Sequence, residues 1–394
     1  MPPPRPEVRG YTCTGGKRGG HECAPYRRRK DDRLSGQGVL PMTGRERVLK
    51  ALYFEEPDQI ALLDAPWGTT IERWYNEGLP RDVGPGEYFG YNFIGVGPDT
   101  SFRFPYELIE ETDEYRIDRD GNGAVHRNWK SKTSTPECID FLIKTPTDWE
   151  EHKARLAFSP DRVDLEGARN ARKIADEKGY FYHFTCGFGY DKTQGIVGSE
   201  RLLMAMADEP EWVAEMLLVS AQMIVDAAKH YIENGIVFDG AWMYNDMGYR
   251  NGSMFSPKMY RALQMPADRL VYDFFHENGL KCILHSCGNV REIVPDMIEA
   301  GLDCLQPLEV KAGMDVIEMK KSFHGKLSMM GGIDVRAMGA EDPAVIEEEI
   351  ATKIPAAMAG GGYIYHSDHS VPDNISFERY EYVMELVKAY GTYK

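Results

Sequence analysis

The sequence contains no long apolar run: no stretch approaches the roughly 18 uninterrupted apolar residues that a membrane helix requires. Its N-terminal segment also lacks the short apolar core of a secretory signal, so a cytoplasmic location is expected. Cysteine is sparse, at seven residues in 394, and no two of them show the paired spacing of a disulfide framework, which suits a reducing compartment. Cys13, His21 and Cys23 lie close together, but their spacing matches no zinc-binding pattern. Positive charge is scarce beyond the first segment. Residues 1–41 hold nine Lys/Arg and four Asp/Glu, whereas the remaining chain holds 37 and 58, a net −21. A body this acidic repels nucleic acid and anionic membranes, and could hold a polycarboxylate only by gathering arginines locally.

What is present is a soluble globular composition, 42% hydrophobic and 27% charged, with enough apolar residues for a large core. A chain of 394 residues suits two domains or one α/β barrel. Residues 1–41, rich in Pro, Gly, Arg and Lys, are expected to form a disordered tail. Met42-Thr43-Gly44-Arg45-Glu46-Arg47 reads as a fresh start, with Thr43 as a helix cap and Glu46 as its capping-box partner, so 42–394 is taken as a single domain.

Strand-like runs then alternate with helical ones. Ile60–Leu63, Tyr180–Phe184, 237–243, the run from Lys281 that ends in His285-Ser286-Cys287, Cys304–Leu308, Leu327–Met330 and Gly362–Tyr365 are expected strands, and the intervening segments carry helical patterns. Residues 70–150, rich in aromatics, Gly and Pro, suggest an irregular β-rich excursion. Repeated β-then-α implies a parallel sheet. Asp64, Asp246, His285, Cys287, Glu309, Asp334, Asp368 and His369 all fall at the C-terminal ends of these strands. Chemistry spread over many strand ends favours the rim of a closed (β/α)8 TIM barrel over the single switch point of an open sheet.

The stretch Lys281-Cys282-Ile283-Leu284-His285-Ser286-Cys287-Gly288-Asn289 carries the strongest chemical signal. Side chains two apart on a strand share a direction, so His285 and Cys287 offer an imidazole and a thiolate together, half of a zinc site. The third ligand is sought in His366-Ser367-Asp368-His369. His369 would complete an N/S set, Asp368 a mixed N/S/O set. Glu309 and Asp334 are candidates to orient the imidazoles or touch substrate. Asp246 and Tyr190, each after a strand end, are candidates for substrate hydrogen bonding or proton transfer; each is equally readable as turn structure.

Asp246-Met247-Gly248, Phe255-Ser256-Pro257-Lys258-Met259-Tyr260, His285-Ser286-Cys287-Gly288, Gly332-Ile333-Asp334 and Gly361-Gly362-Tyr363-Ile364 together resemble the uroporphyrinogen decarboxylase superfamily. The opening at Met42–Val48 is similar as well. The resemblance spans roughly 42–392 and implies a TIM barrel with one of two chemistries. One is metal-free decarboxylation of a polycarboxylate tetrapyrrole, which needs arginine near the first strand's end. That end here reads Asp64-Ala65-Pro66-Trp67-Gly68. The other is zinc-dependent methyl transfer between a corrinoid and a thiol, in which His-x-Cys and a later Cys bind the metal. His285 and Cys287 match the first two ligands, and His369 stands where the later Cys is expected. The resemblance therefore implies His285, Cys287 and His369 as metal ligands, with a small-molecule substrate, and a corrinoid protein and a second copy of the chain as candidate partners. A metal-free decarboxylase-like lyase and a non-catalytic tetrapyrrole- or corrinoid-binding barrel are the rival expectations.

Overall fold

In the computed structural model the described residues are 41–131 and 136–393, together with Tyr11–Thr12 paired antiparallel with Ala24–Pro25. The rest of the expected tail, including Cys13, His21 and Cys23, lies outside the described residues. Among the described residues no helix is long and apolar enough to cross a membrane.

The capping box forms. Thr43 Oγ1 accepts the Glu46 N–H (3.2 Å) and Glu46 Oε2 accepts the Thr43 N–H (2.8 Å), which starts the helix Gly44–Leu52. Val48, Ala51 and Leu52 of that helix pack with Ala61, Phe181, Ile283, Cys304, Met330 and Ile364 from six strands. The helix therefore plugs the end of the barrel at which the strands begin.

Eight strands make one parallel sheet: β1 (Ala61–Leu62), β2 (Phe93–Val96), β3 (Phe181–Gly187), β4 (Gly240–Tyr244), β5 (Lys281–His285), β6 (Cys304–Gln306), β7 (Ser328–Met330) and β8 (Tyr363–Tyr365). Their spatial order is β1-β8-β7-β6-β5-β4-β3-β2, the sequential order of a (β/α)8 barrel. Asn92 joins the two ends of the sheet. Its N–H donates to Leu62 O (2.8 Å) and its Oδ1 accepts the Leu62 N–H (2.7 Å). Seven strands lie where the sequence pattern put them. β2 does not, because its four residues contain Gly95 and sit in an aromatic- and Gly-rich segment.

The β-rich excursion is a four-stranded antiparallel sheet inserted between β2 and β3: Glu107–Glu111, Tyr115–Arg119, Ala124–Trp129 and Glu137–Phe141. Long helices cover the barrel. Pro210–Glu233 starts on its proline, and Ser256 caps a helical run to Glu277 that loosens into a π-turn at Tyr260–Gln264.

Candidate metal centre at the barrel mouth

The parallel register sets Tyr244, His285 and Gln306 side by side at the ends of β4, β5 and β6. Beyond those ends, the loops after β4 and β5 clasp each other backbone to backbone. A Cβ on Gly248 would lie 2.4 Å from Cys287 O, and one on Gly288 would lie 2.3 Å from Gly248 C. Gly288 also has φ +78°, which glycine adopts without strain. Met247 N–H donates to Ser286 Oγ (3.0 Å) and Cys287 N–H to Asp246 Oδ1 (2.7 Å). The close approach that these glycines permit brings Asp246 onto His-x-Cys.

Asp246, His285 and Cys287 consequently offer an oxygen, a nitrogen and a sulfur all within 4.8 Å of one another. Cys287 Sγ lies 3.2 Å from His285 Nε2, and Asp246 Oδ1 lies 3.4 Å from the same nitrogen. Ligand atoms sharing a tetrahedral zinc ion, at bond lengths of ~2.0–2.3 Å, stand about 3.3–3.6 Å apart. The donor set fits such an ion.

The imidazole is prepared from behind. His285 Nδ1 lies 2.5 Å from Gln306 Oε1, a carbonyl that can only accept. The proton therefore sits on Nδ1 and the Nε2 lone pair faces Cys287 and Asp246, the arrangement a metal-binding histidine needs. Gln306 is held in turn by His366, whose Nε2 accepts from the Gln306 amide (3.3 Å) while its Nδ1–H donates to Ser367 O (2.7 Å).

Burial lowers the proton affinity of His285, only partly opposed by Asp246. Burial, then the charges of Asp246 and Glu309, push the Cys287 thiol well up. Burial and Asp246 likewise raise Asp191. A thiolate among these carboxylates is costly on the protein alone, and a divalent cation offsets that cost.

The other expected site residues divide clearly. Glu309 is buried at the end of β6, where its Oε2 accepts the Gly288 N–H (2.7 Å) and its Oε1 pairs with Lys311 (2.9 Å). It braces the Cys287 loop. Asp368 accepts the backbone N–H groups of Val310 and Val335 (2.9 Å each), tying the loops after β6, β7 and β8 together. With both nitrogens of His366 also engaged, His369 is the member of its loop that faces a cleft. That cleft, of about 470 Å³, is shared with Cys287, Glu309, Lys311, Tyr249 and Arg336. His369 is close enough to influence His285 electrostatically, but it lies outside the trio within 4.8 Å.

Asp334 is not brought to the trio. It caps the short helix Val335–Met338 and pairs with Arg336 (2.6 Å). Tyr190 is buried against Phe255 (ring centroids 5.0 Å apart), its hydroxyl unpartnered among the described residues and pushed up to about 12 by burial. Asp191 beside it is the residue whose charge reaches Asp246 and Cys287. Sequence reasoning did not find Gln306, because only the pairing of β5 with β6 makes it a neighbour of His285.

The sequence model of the family described as uroporphyrinogen decarboxylase (URO-D) matches residues 193–390, from the helix after β3 through β8 and the last helix. Among solved structures, a methyltransferase from Methanosarcina mazei superposes with a TM-score of 0.61 at 16% identity, covering 89% of this chain and 99% of that one. A GH18 chitinase from Pseudoalteromonas aurantia (TM-score 0.33, 12% identity, 59% and 79% covered) and an L-ribulose 3-epimerase (TM-score 0.34, 14% identity, 63% and 88% covered) are more distant. No match was found among curated proteins.

Proposed function

The chain belongs to the uroporphyrinogen decarboxylase (URO-D) family, and from that premise we propose that it is a zinc-dependent methyltransferase moving a methyl group between a corrinoid and a thiol. One observation carries the reading: an O/N/S donor trio whose imidazole has its free lone pair directed inward by Gln306. The fold shared with a methyltransferase supports it. His285, Cys287 and Asp246 would hold the metal, and His369, on the cleft wall, would serve as a further ligand or contact substrate. When bound, zinc supplies Lewis acidity that turns a coordinated substrate thiol into a thiolate near neutral pH.

The chain's own residues supply the rest. Gln306 and His366 keep the His285 proton on Nδ1, and Glu309 and Asp246 fix the Cys287–Gly288 backbone. Tyr244, exposed with its ring 5.1 Å from that of His285, walls one side of the mouth. The methyl carrier is a corrinoid, on a separate protein or as a free cobamide, and the chain is a candidate for self-pairing.

Decarboxylation of a polycarboxylate suits the site less well. Asp64, at the end of β1, is enclosed by the hydroxyls of Tyr380 (2.9 Å), Tyr365 (3.3 Å) and Ser367 (2.5 Å). Of the three cations lining the cleft among the described residues, Lys311 and Arg336 are already paired with Glu309 and Asp334, which leaves Arg250 alone to meet several carboxylates. The test is metal analysis of protein purified without a His-tag, joined to transfer of methyl from methylcobalamin to small thiols. We expect near-stoichiometric zinc and turnover, both lost in Cys287→Ala. Full zinc-independent turnover would overturn the reading, as would a protein that stays metal-free on reconstitution.

A further inference from the structure

The inserted sheet carries a second thiol with its own base. Across the strands Ala124–Trp129 and Glu137–Phe141, His126 is paired in register with Cys138, beside a bulge at Val125/His126. Cys138 Sγ lies 3.3 Å from His126 Nδ1, and His126 Nε2 lies 3.2 Å from Asp120 Oδ2. Asp120 is itself anchored, its Oδ1 accepting the N–H groups of Asn122 (2.8 Å) and Ala124 (3.0 Å). With the imidazole proton on Nε2, donated to Asp120, the Nδ1 lone pair faces the thiol. Nucleophile, base and orienting carboxylate are thus in line. Cys138 is exposed, whereas Cys186, Cys282 and Cys304 are buried.

The thiol opens into a second cleft, of about 1010 Å³, between this sheet and the helices Gly189–Val197 and Ser199–Asp208. Five carboxylates line that cleft: Asp140, Asp191, Glu200, Asp208 and Glu209. Against them stands Arg201, whose guanidinium is bonded to Val197 O, while Lys144 pairs with Asp140 (2.6 Å). The cleft attracts cations and repels anions.

We propose that Cys138, His126 and Asp120 form a thiol-exchange site, made of residues other than those of the metal centre, that takes small cationic disulfides. His126 accepts the Cys138 thiol proton, and the sulfur attacks one sulfur of the incoming disulfide. A new S–S bond forms to Cys138 as the old one breaks, and the departing thiolate takes the proton from His126. Cys138 is oxidised to the mixed disulfide and half of the reagent is reduced to thiol. Burial and the Asp120 charge push the Cys138 thiol up, so the resting state is the thiol and the reaction depends on the base.

The experiment treats the full-length protein with cystamine and, separately, with oxidised glutathione, and follows the adduct on the Cys138 peptide by mass spectrometry. Cystamine is expected to modify Cys138 at least about tenfold faster than the anionic disulfide, with the ratio shrinking at high salt. His126→Asn is expected to slow the cystamine reaction about tenfold or more. Equal rates for the two reagents on the unaltered protein would overturn the proposal even if the variant misfolds. A folded His126→Asn that keeps the original rate would overturn it too.

Discussion

Replacing Gln306 by Met keeps the side-chain length and removes both hydrogen-bonding ends. His285 Nδ1–H then loses the acceptor at 2.5 Å, and His366 Nε2 loses its donor at 3.3 Å. Gln306 is only 2% exposed, so water does not readily replace it. An unsatisfied buried N–H costs about 1–3 kcal/mol. That is the range by which losing a partner behind a metal-bound histidine weakens affinity, about 10–100-fold or about 1.4–2.7 kcal/mol. Gln306→Glu restores an acceptor toward His285 and should recover most of the affinity. The assay is competition for zinc against a chromophoric chelator, with circular dichroism to confirm folding. If Gln306→Met binds zinc as tightly as the unaltered protein, His285 is not a ligand oriented through Gln306.

Three further outcomes are expected. Asp268, fully buried between Tyr260 Oη (2.5 Å) and Gln264 Nε2 (2.6 Å), is pushed up to about 7 by burial. The fold therefore holds that proton to higher pH than the unfolded chain does, so the group's stabilising contribution is full below about pH 4 and fades toward pH 7, by about 4 kcal/mol at most; urea unfolding across pH should show this fall, and Asp268→Asn should lack it. Gly288→Ala forces a Cβ to 2.3 Å from Gly248 C at φ +78°, so it should separate the clasped loops and cost at least about 1 kcal/mol in urea unfolding together with zinc affinity; unchanged affinity would show that the clasp does not position the donors. Asp246→Asn should weaken zinc binding more than His369→Ala, since Asp246 belongs to the close trio; isothermal titration giving the reverse order would make His369 the third ligand.

The barrel was legible because strand ends in this chain are marked by polar residues after apolar runs; six strands follow that mark, and β3, which ends Thr185-Cys186-Gly187, was legible from its apolar run alone. β2 escaped because Phe93-Ile94-Gly95-Val96 is too short for its alternation to show, and its place is fixed by pairing with β3. His285 and Cys287 were legible as a local pattern. Asp246 was visible as a strand-end residue, but its position beside the pair depends on the Gly248–Gly288 contact. Gln306 and the Cys138–His126–Asp120 line are cross-strand relations with no trace in linear spacing.

The central claim is that one metal ion is held by a single thiolate together with nitrogen and oxygen donors at the mouth of this barrel. Zinc-edge X-ray absorption of the loaded protein tests it most directly. It should show one sulfur at ~2.3 Å and the remaining ligands, nitrogen or oxygen, at ~2.0–2.1 Å, with the sulfur absent in Cys287→Ala. A spectrum with no sulfur in the unaltered protein, or one that keeps its sulfur in the variant, would contradict it.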